Sequence, residues 1–433
     1  MSNYFSSVKH EITGKTNLVL YYILLAYILS LFLKDAPVVS NILMSVIFVL
    51  SLAAISKENF RDSIRKNKVL LGIIFFFLLQ ILSLFLSEDK KEGAALILRR
   101  LPLFLLPASF IFINFPKKIW NKIALFYAVT TTLASVIGFT YGAYSYFISK
   151  DSGFLYNDNI SLILSKQAVY FAFYVSVAIV IFAEQLNQHS EHIIKYRPYF
   201  LSAVIWLLFI VFMLASRSAM LSLLFIFFCY VSFQIVRKKK YLEGMLFVLC
   251  IVVGVVILSK LFPKTLNRFQ GTTETNFQYE NKNVENHFNA AYDSSKWNGT
   301  NTRIAIWECA VEVWETNPIT GTGIGDRTGD LNKKYQEKKF WYALHTNKNT
   351  HNQYLDILIS MGITGLVLFI ILFFIYPIYT FIKEKQILAM IIFVMLAISL
   401  VTENMFDRYQ GLIFIPFILS LATKIADEKE DPI

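Results

Sequence analysis

Cysteine is scarce in this sequence, and its three copies are scattered. Cys229 and Cys250 fall in apolar runs and Cys309 stands alone in a polar interval, so no disulfide framework is indicated. Charge is scarce too: 16% of the 433 residues are charged and 56% are hydrophobic, with a mean hydropathy of +0.52. An ordinary soluble surface cannot be built from that mixture. No Walker A run occurs, so ATP is not expected to drive the process, and neither HExxH nor clustered Cys and His suggests zinc. Asp35, Asp89 and Asp158 are isolated, so no Asp-x-Asp pair is in place to hold a divalent cation. The expectation is therefore no cofactor and no metal. No internal repeat stands out.

Long apolar runs are what the chain has instead. They fall near 17–33, 41–55, 69–87, 94–113, 123–147, 166–184, 199–215, 218–236, 241–259, 352–382, 387–401 and 411–423. Runs of about 17–25 apolar residues suit a bilayer, where only helices or closed barrels satisfy the backbone. The expected fold class is an all-α polytopic membrane protein with about twelve transmembrane helices and one large, partly helical external loop. The polar stretch Met1 to Thr16 leads into a first run that lacks a cleavage signature, so that run is expected to be a retained helix.

The net charge of +11 is distributed unevenly among the loops. Lys57, Arg61, Arg65, Lys66 and Lys68, then Lys117, Lys118 and Lys122, Lys195 and Arg197, Arg237 to Lys240, and Lys383 and Lys385 share one side. The other short connections hold only Lys34, Lys90 and Lys91, Lys150, Arg217 and Arg408. The positive-inside rule then predicts cytoplasmic termini and an external interval from about 260 to 350. Basic charge so placed points to the membrane and away from nucleic acid. The run 199–236 is interrupted only by Ser216-Arg217-Ser218. A single helix of that length would measure about 57 Å, so two spans joined by an external hairpin at Arg217 are expected.

Inside the external interval, Thr302 to Thr316 reads as an amphipathic helix with Asn301 or Thr302 at its start. Ile304, Trp307, Val311 and Trp314 would form its apolar stripe, and Asn317-Pro318 would stop it. Gly321-Thr322-Gly323-Ile324-Gly325 reads as a flexible turn. The Asn-, Gln- and Thr-rich stretch 264–300 is expected to be mobile.

Three residues on this side could carry chemistry. Arg217 and Arg303 offer planar forks of donors that suit a phosphate or diphosphate, and His351 could act as a general base toward a sugar hydroxyl. Each also has a plainer reading: Arg217 as an interfacial anchor, Arg303 as a solvated first-turn residue, His351 as a helix cap. His345 competes with His351. Arg99 and Arg100 lie inside an apolar run, which suits a substrate path, although a shifted helix boundary would explain them equally. The pairs Lys333/Lys334 and Lys338/Lys339 read as a solvated basic face.

The combination resembles the O-antigen ligase and polymerase superfamily of bacterial inner-membrane glycosyltransferases. It is carried by Ala215-Ser216-Arg217-Ser218-Ala219-Met220, by Thr302-Arg303-Ile304-Ala305-Ile306-Trp307 with Asn317-Pro318-Ile319-Thr320-Gly321-Thr322-Gly323-Ile324-Gly325, and by His351-Asn352-Gln353-Tyr354-Leu355 with Gly362 and Gly365. Their order around one loop matches over about 200–375. Lys166-Gln167-Ala168-Val169-Tyr170 departs from the pattern, standing where a His-Pro-like helix start would be expected.

The resemblance implies a GT-C-like membrane fold with an N-terminal bundle (1–199), a ligase-like core (200–375) and C-terminal helices (376–433). It implies transfer of a glycan from undecaprenyl diphosphate to an acceptor hydroxyl, for the ligases a lipid A-core sugar, at the outer face of the inner membrane. Arg217 and Arg303 would bind the diphosphate and His351 would activate the acceptor, with inversion and without metal. A polymerase or a protein O-oligosaccharyltransferase shares the motifs. One dominant external loop favours a ligase. A flippase of lipid-linked sugars would instead spread its cations through many helices.

Overall fold

The computed structural model describes residues 12, 14–55, 60–187, 191–239, 241–261, 273–286, 293 and 295–426. Among them the chain is all helical, with no strand beyond a single isolated bridge between Glu285 and Trp297. The first elements are α1 (Lys15–Ser30), α2 (Pro37–Ala53), α3 (Phe60–Lys66), α4 (Lys68–Leu84), α5 (Lys90–Arg99), α6 (Pro102–Phe112) and α7 (Lys117–Ser149). Next come α8 (Ala168–Asn187), α9 (Glu191–Leu214), α10 (Arg217–Lys238) and α11 (Tyr241–Leu261). The polar interval holds α12 (Asn301–Thr316), α13 (Arg327–Glu337) and α14 (Trp341–His345). The chain ends with α15 (Gln353–Lys383, including a π-turn at Ile371–Ile375), α16 (Ile387–Ser399) and α17 (Tyr409–Ala426).

Among the described residues, six helical stretches are long and apolar enough to cross a bilayer: Lys90–Phe112, Lys117–Ser149, Ala168–Asn187, Ile194–Leu214, Gln353–Lys383 and Tyr409–Ala426. The bent pair α3 and α4 would add a seventh. The apolar runs at α1, α2 and α16 form shorter helices, Lys15–Ser30, Pro37–Ala53 and Ile387–Ser399. At 1.5 Å per residue these fall short of a bilayer core about 30 Å thick. The expected hairpin is present: α9 ends at Leu214, Ala215 takes a positive φ of 50°, and α10 opens on Arg217.

The connections at one end of the bundle are tied together. The Tyr409 hydroxyl donates to Pro37 O at 2.9 Å, and Asn157 N to Met213 O at 3.0 Å. The backbone amides of Glu88 and Asp89 donate to the Asp326 carboxylate at 2.7 and 2.8 Å. The polar interval has a small core of its own at this end. Trp297, Ala305, Ile306, Cys309, Ala310, Val313, Tyr335 and Phe340 are buried together, and the Trp297 ring lies 4.8 Å from Phe340 and 5.8 Å from Tyr342.

Four expectations are corrected here. Helix α12 buries Ala305, Ile306, Cys309, Ala310 and Val313, while Ile304, Trp307, Val311 and Trp314 are only half-buried. The inner face is set by which side of α12 meets α13 and α15, since Ile306 and Val313 are buried while Ile304 and Val311, of the same types, are not. Of the stretch expected to be mobile, 273–286 and 295–300 are packed against that core through Phe277, Tyr279 and Trp297; residues 264–272, 287–292 and 294 lie outside the described residues.

The glycine run is a pinned strap rather than a free turn. Thr322 N and Gly323 N donate to Ile359 O and Ser360 O at 2.8 and 3.2 Å, and Gly325 N donates to Ser87 Oγ at 2.9 Å. Gly321 takes φ 74°, and Gly362, at φ 64°, breaks the helical path of α15 where the strap crosses it. A side chain at either position would collide with the backbone of the other segment. The lysine pairs are matched by acids: Lys333 with Asp330 at 3.1 Å, Lys334 with Glu337 at 2.6 Å, Lys338 with Glu312, and Lys339 with Glu280 at 2.9 Å.

Arg99 and Arg100 separate at the break between α5 and α6. Arg99 is exposed and pairs with Glu92 at 3.6 Å. Arg100 is 1% exposed and donates to Gln80 Oε1 (2.7 Å), Phe406 O (3.2 Å), Asp356 Oδ2 (3.1 Å) and Asp407 Oδ1 (2.8 Å). Arg327 reaches the same two carboxylates, Asp356 and, at 2.9 Å, Asp407. Removing one partner from such a cluster strands buried charge, so Arg100→Met should destabilise the protein by about 3–5 kcal/mol. Arg99→Met should change stability by less than about 0.5 kcal/mol. Apparent melting temperatures in detergent measure both, and equal melting of Arg100→Met and wild type would refute the structural role of the cluster.

Candidate functional site

Arg217, Arg303 and His351 are brought to one place. Gly299, just before α12, is the meeting point of the two arginines. A Cβ added there would lie 2.5 Å from Arg217 Nη2 and 3.2 Å from Arg303 Nη1, with Glu285 Oε1 at 3.6 Å. Arg217 also approaches Thr300 Oγ1 at 3.4 Å. Two guanidinium groups thus close over a backbone position that has no side chain to separate them.

The start of α12 is capped without Arg303. Asn298 Oδ1 accepts from the amides of Thr300 and Asn301 at 2.7 and 2.9 Å. Arg303 folds back over the helix start, donating from Nη1 to Gly299 O at 2.7 Å and from Nη2 to Glu403 Oε1 at 3.4 Å. A cation at a helix N-terminus is opposed by the helix dipole, and these two acceptors offset that. Among the described residues, Arg303 Nε is buried with no hydrogen-bond partner.

Glu403, in the connection between α16 and α17, also faces His351. Its Oε2 lies 3.6 Å from His351 Nδ1, just beyond hydrogen-bond range, so the pair is an ion pair when the imidazole is protonated. The backbone of His351 is held at φ 43°, with its amide donating to Asn349 Oδ1 at 3.1 Å. Asn352, not His351, caps α15: its Oδ1 accepts from Tyr354 N and Leu355 N at 3.0 and 3.2 Å. On either side, Trp307 Nε1 donates to Thr350 O and Gln353 N to Leu400 O.

Two carboxylates balance the cations. Burial alone would raise the Glu403 carboxyl, but contact with His351 and the charges of His351, Arg303 and Arg408 outweigh it and hold it below the usual range. Burial likewise opposes ionisation of Glu285, and Lys348 (3.3 Å), the Tyr342 hydroxyl (2.9 Å) and Arg303 overcome it. Beneath this cluster lies the Arg100–Asp356–Asp407–Arg327 network, in which Asn404 donates to Asp356 Oδ1 at 3.2 Å and the Thr350 hydroxyl to Asn404 Oδ1 at 3.0 Å.

His345 is elsewhere. It is exposed at the end of α14 and stacks on Trp341 with ring centroids 6.1 Å apart. Glu403, Glu285, Asp356, Asp407 and Arg327 were not among the expected site residues. A signal for three of them exists: Asp356 is a lone acid inside an apolar run, and Glu403 and Asp407 lie in the short Thr402-Glu403…Asp407-Arg408 connection, which carries three charges. Acids so placed need cationic partners.

Apolar helices long enough to cross a bilayer, joined at one end to a partly buried cluster of charged side chains, mark a helical membrane protein. Residues 202–370 match the family model described as O-antigen ligase. Over that segment, which contains Arg217, Arg303 and His351, the resemblance to the O-antigen ligase and polymerase superfamily holds. No curated protein gives a significant match to the chain.

Glu403 ties stability to pH in a defined direction. A carboxyl whose folded pKa is depressed contributes stability that is present above its unfolded value, about 4.3, and is lost as pH falls through the folded value. Melting of wild type should therefore weaken more steeply than that of Glu403→Gln as pH drops below about 4.5. Parallel melting curves from pH 7 downward would show that Glu403 is not stabilised by His351 and Arg303.

Proposed function

We propose that the protein is a membrane glycosyltransferase of the O-antigen ligase type. It would move a glycan from undecaprenyl diphosphate to an acceptor hydroxyl, in the ligase case on a lipid A-core sugar, at the outer face of the bacterial inner membrane. The observation that carries this reading is the convergence of Arg217 and Arg303 over Gly299, linked through Glu403 to His351, inside the segment similar to O-antigen ligases. The topology that goes with it has about twelve membrane crossings, cytoplasmic termini, a core at 200–375 and the interval 260–350 on the periplasmic side. The short apolar helices would then cross as tilted spans or enter partway.

In the proposed reaction the two arginines bind the donor diphosphate. As the bond between the anomeric carbon and the diphosphate oxygen breaks, negative charge grows on the leaving group, and fixed cations stabilise it without reorganising. The acceptor oxygen attacks from the opposite face, giving inversion, and its proton passes to the His351 imidazole. With Nδ1 toward Glu403, Nε2 is the ring nitrogen available for that proton. Glu403 then faces the imidazolium, as the orienting acid does in a catalytic triad. Neither nucleotide nor metal enters this scheme. A flippase reading needs cations free along a conduit, whereas Arg100 and Arg327 are both committed to Asp356 and Asp407.

Reconstituted with undecaprenyl-diphosphate-linked glycan and candidate acceptors, His351→Ala should lose about 10²–10⁴-fold in turnover. Arg217→Ala and Arg303→Ala should each lose about 10²–10³-fold. Arg303→Lys should restore little, because a point charge cannot reproduce the fork. Turnover retained in His351→Ala would remove it as the base, and turnover lost on adding EDTA would sink the metal-free scheme.

A further inference from the structure

Beside the catalytic cluster, at the same end of the bundle, lies a cavity of about 380 Å³, within the usual range for small-molecule clefts. It is bounded by the α1–α2 hairpin, the segment before α8 and the start of α17, and it is lined by Asp35, Lys166, Gln167, Asp407, Arg408 and Tyr409 among others. The stretch Lys166-Gln167 is where the sequence departs from the family pattern, and nothing in the proposed reaction uses it.

Most polar groups in the lining are already committed. Gln410 accepts from Gln167 N at 3.0 Å and donates to Ser165 O at 2.8 Å, and Ser30 and Ser40 share a hydrogen bond at 2.9 Å. Asp407 is held by Arg100 and Arg327. Lys166 is different. It is 7% exposed, faces the cavity, and among the described residues its ammonium has no hydrogen bond and no carboxylate within ion-pair distance. Burial lowers its pKa to about 8, with Asp35 opposing from longer range. A buried cation left without a partner is costly unless a ligand supplies the counter-charge.

Arg408 is the second cation of the lining. Its charge reaches Glu403, so the cavity and the catalytic cluster lie on neighbouring parts of one connection. Asp35 is the single lining carboxylate not committed to arginine, and it leaves the pair of cations in excess. Leu33, Pro37 and Tyr409 add apolar surface, which suits the faces of a sugar ring.

Resting on the reading of the reaction given above, we propose that this cavity is a subsite for an anionic sugar of the transferred or accepting glycan. Lys166 and Arg408 bind its phosphate or carboxylate while the reacting end of the glycan lies at His351. The site would thus select acidic glycans and fix how far the charged sugar stands from the bond being made.

Binding to the full chain in detergent tests this with glucose 6-phosphate, glucuronate, glucose, inorganic phosphate and phosphatidylglycerol as probes. Binding is read in the Arg217→Ala/Arg303→Ala background, which removes the diphosphate site as a competitor for phosphate, and the two acidic sugars should still bind there. Lys166→Gln and Arg408→Gln should each weaken them by about tenfold or more, as expected for loss of one charge-assisted hydrogen bond. Glucose should bind far more weakly. Unchanged affinity in Lys166→Gln/Arg408→Gln would overturn the proposal, as would equal binding of glucose. So would inorganic phosphate binding as tightly as the sugar phosphate, or a response to phosphatidylglycerol alone. Because binding is read without turnover, a protein inactive in transfer that shows the expected pattern would sink the reaction and keep the subsite.

Discussion

Two arginines and two aspartates, Arg100, Arg327, Asp356 and Asp407, fix the geometry at the functional end of this protein. Buried charges tolerate displacement poorly, because each must keep its partners or face the cost of desolvation. The cluster therefore locks the α5–α6 break, the start of α13, the first turn of α15 and the connection before α17 into one arrangement. His351 lies just ahead of Asp356 and Glu403 just ahead of Asp407. The distance between His351 and Glu403 is thus set by ion pairs to which neither contributes. Gln353 and Asn404 fill remaining acceptor and donor positions, as a buried polar network requires.

The second constraint is steric. The strap from Pro318 to Gly325 crosses α15 at Gly362 and meets the 87–93 segment at Gly323 and Gly325, with backbone against backbone. Glycine is needed at these crossings because no side chain fits between the two segments and because positive φ suits residues 321, 323 and 362. The strap gives α12, α13 and α14 a rigid footing on α15 and the 87–93 segment. Arg303 is consequently aimed by the packing of α12 and is not left to a mobile loop.

The sequence made Arg217, Arg303 and His351 legible because each stands in a setting where its residue type is conspicuous: a cation in a hairpin between apolar runs, a cation at a helix start, and a histidine at the edge of a span. The break at Ala215-Ser216 followed from length alone. The acids were harder to find. Glu403 and Asp407 become meaningful only when a distant part of the chain brings Arg303 or Arg100 beside them, and no local periodicity encodes that. The buried face of α12 was misread for a related reason: which side of the helix meets α13 and α15 is decided by tertiary packing, so Ile306 is buried and Ile304 is not. Lys338 and Lys339 looked like part of a basic face because their partners Glu312 and Glu280 lie on other segments, whereas Lys333 and Lys334 meet Asp330 and Glu337 on α13 itself. The glycine run looked flexible for the same reason that it packs tightly: a missing side chain permits both.

Glu403 is shared between Arg303 at 3.4 Å and His351 at 3.6 Å, and neither contact is short. On the proposed reaction this sharing has a mechanical consequence. A diphosphate arriving at Arg217 and Arg303 competes with Glu403 for the Arg303 fork, since a doubly anionic group with several acceptor oxygens outmatches a single carboxylate. Glu403 would then be released toward His351, where its charge favours the proton that the imidazole must accept. Donor binding would thereby prepare the base before the acceptor arrives. Glu285, held by Lys348 and Tyr342, has no such freedom and remains as fixed counter-charge. On the proposed reaction, the asymmetry between one acid tied to lysine and tyrosine and another poised between arginine and histidine would let the cluster of charges respond to its substrate.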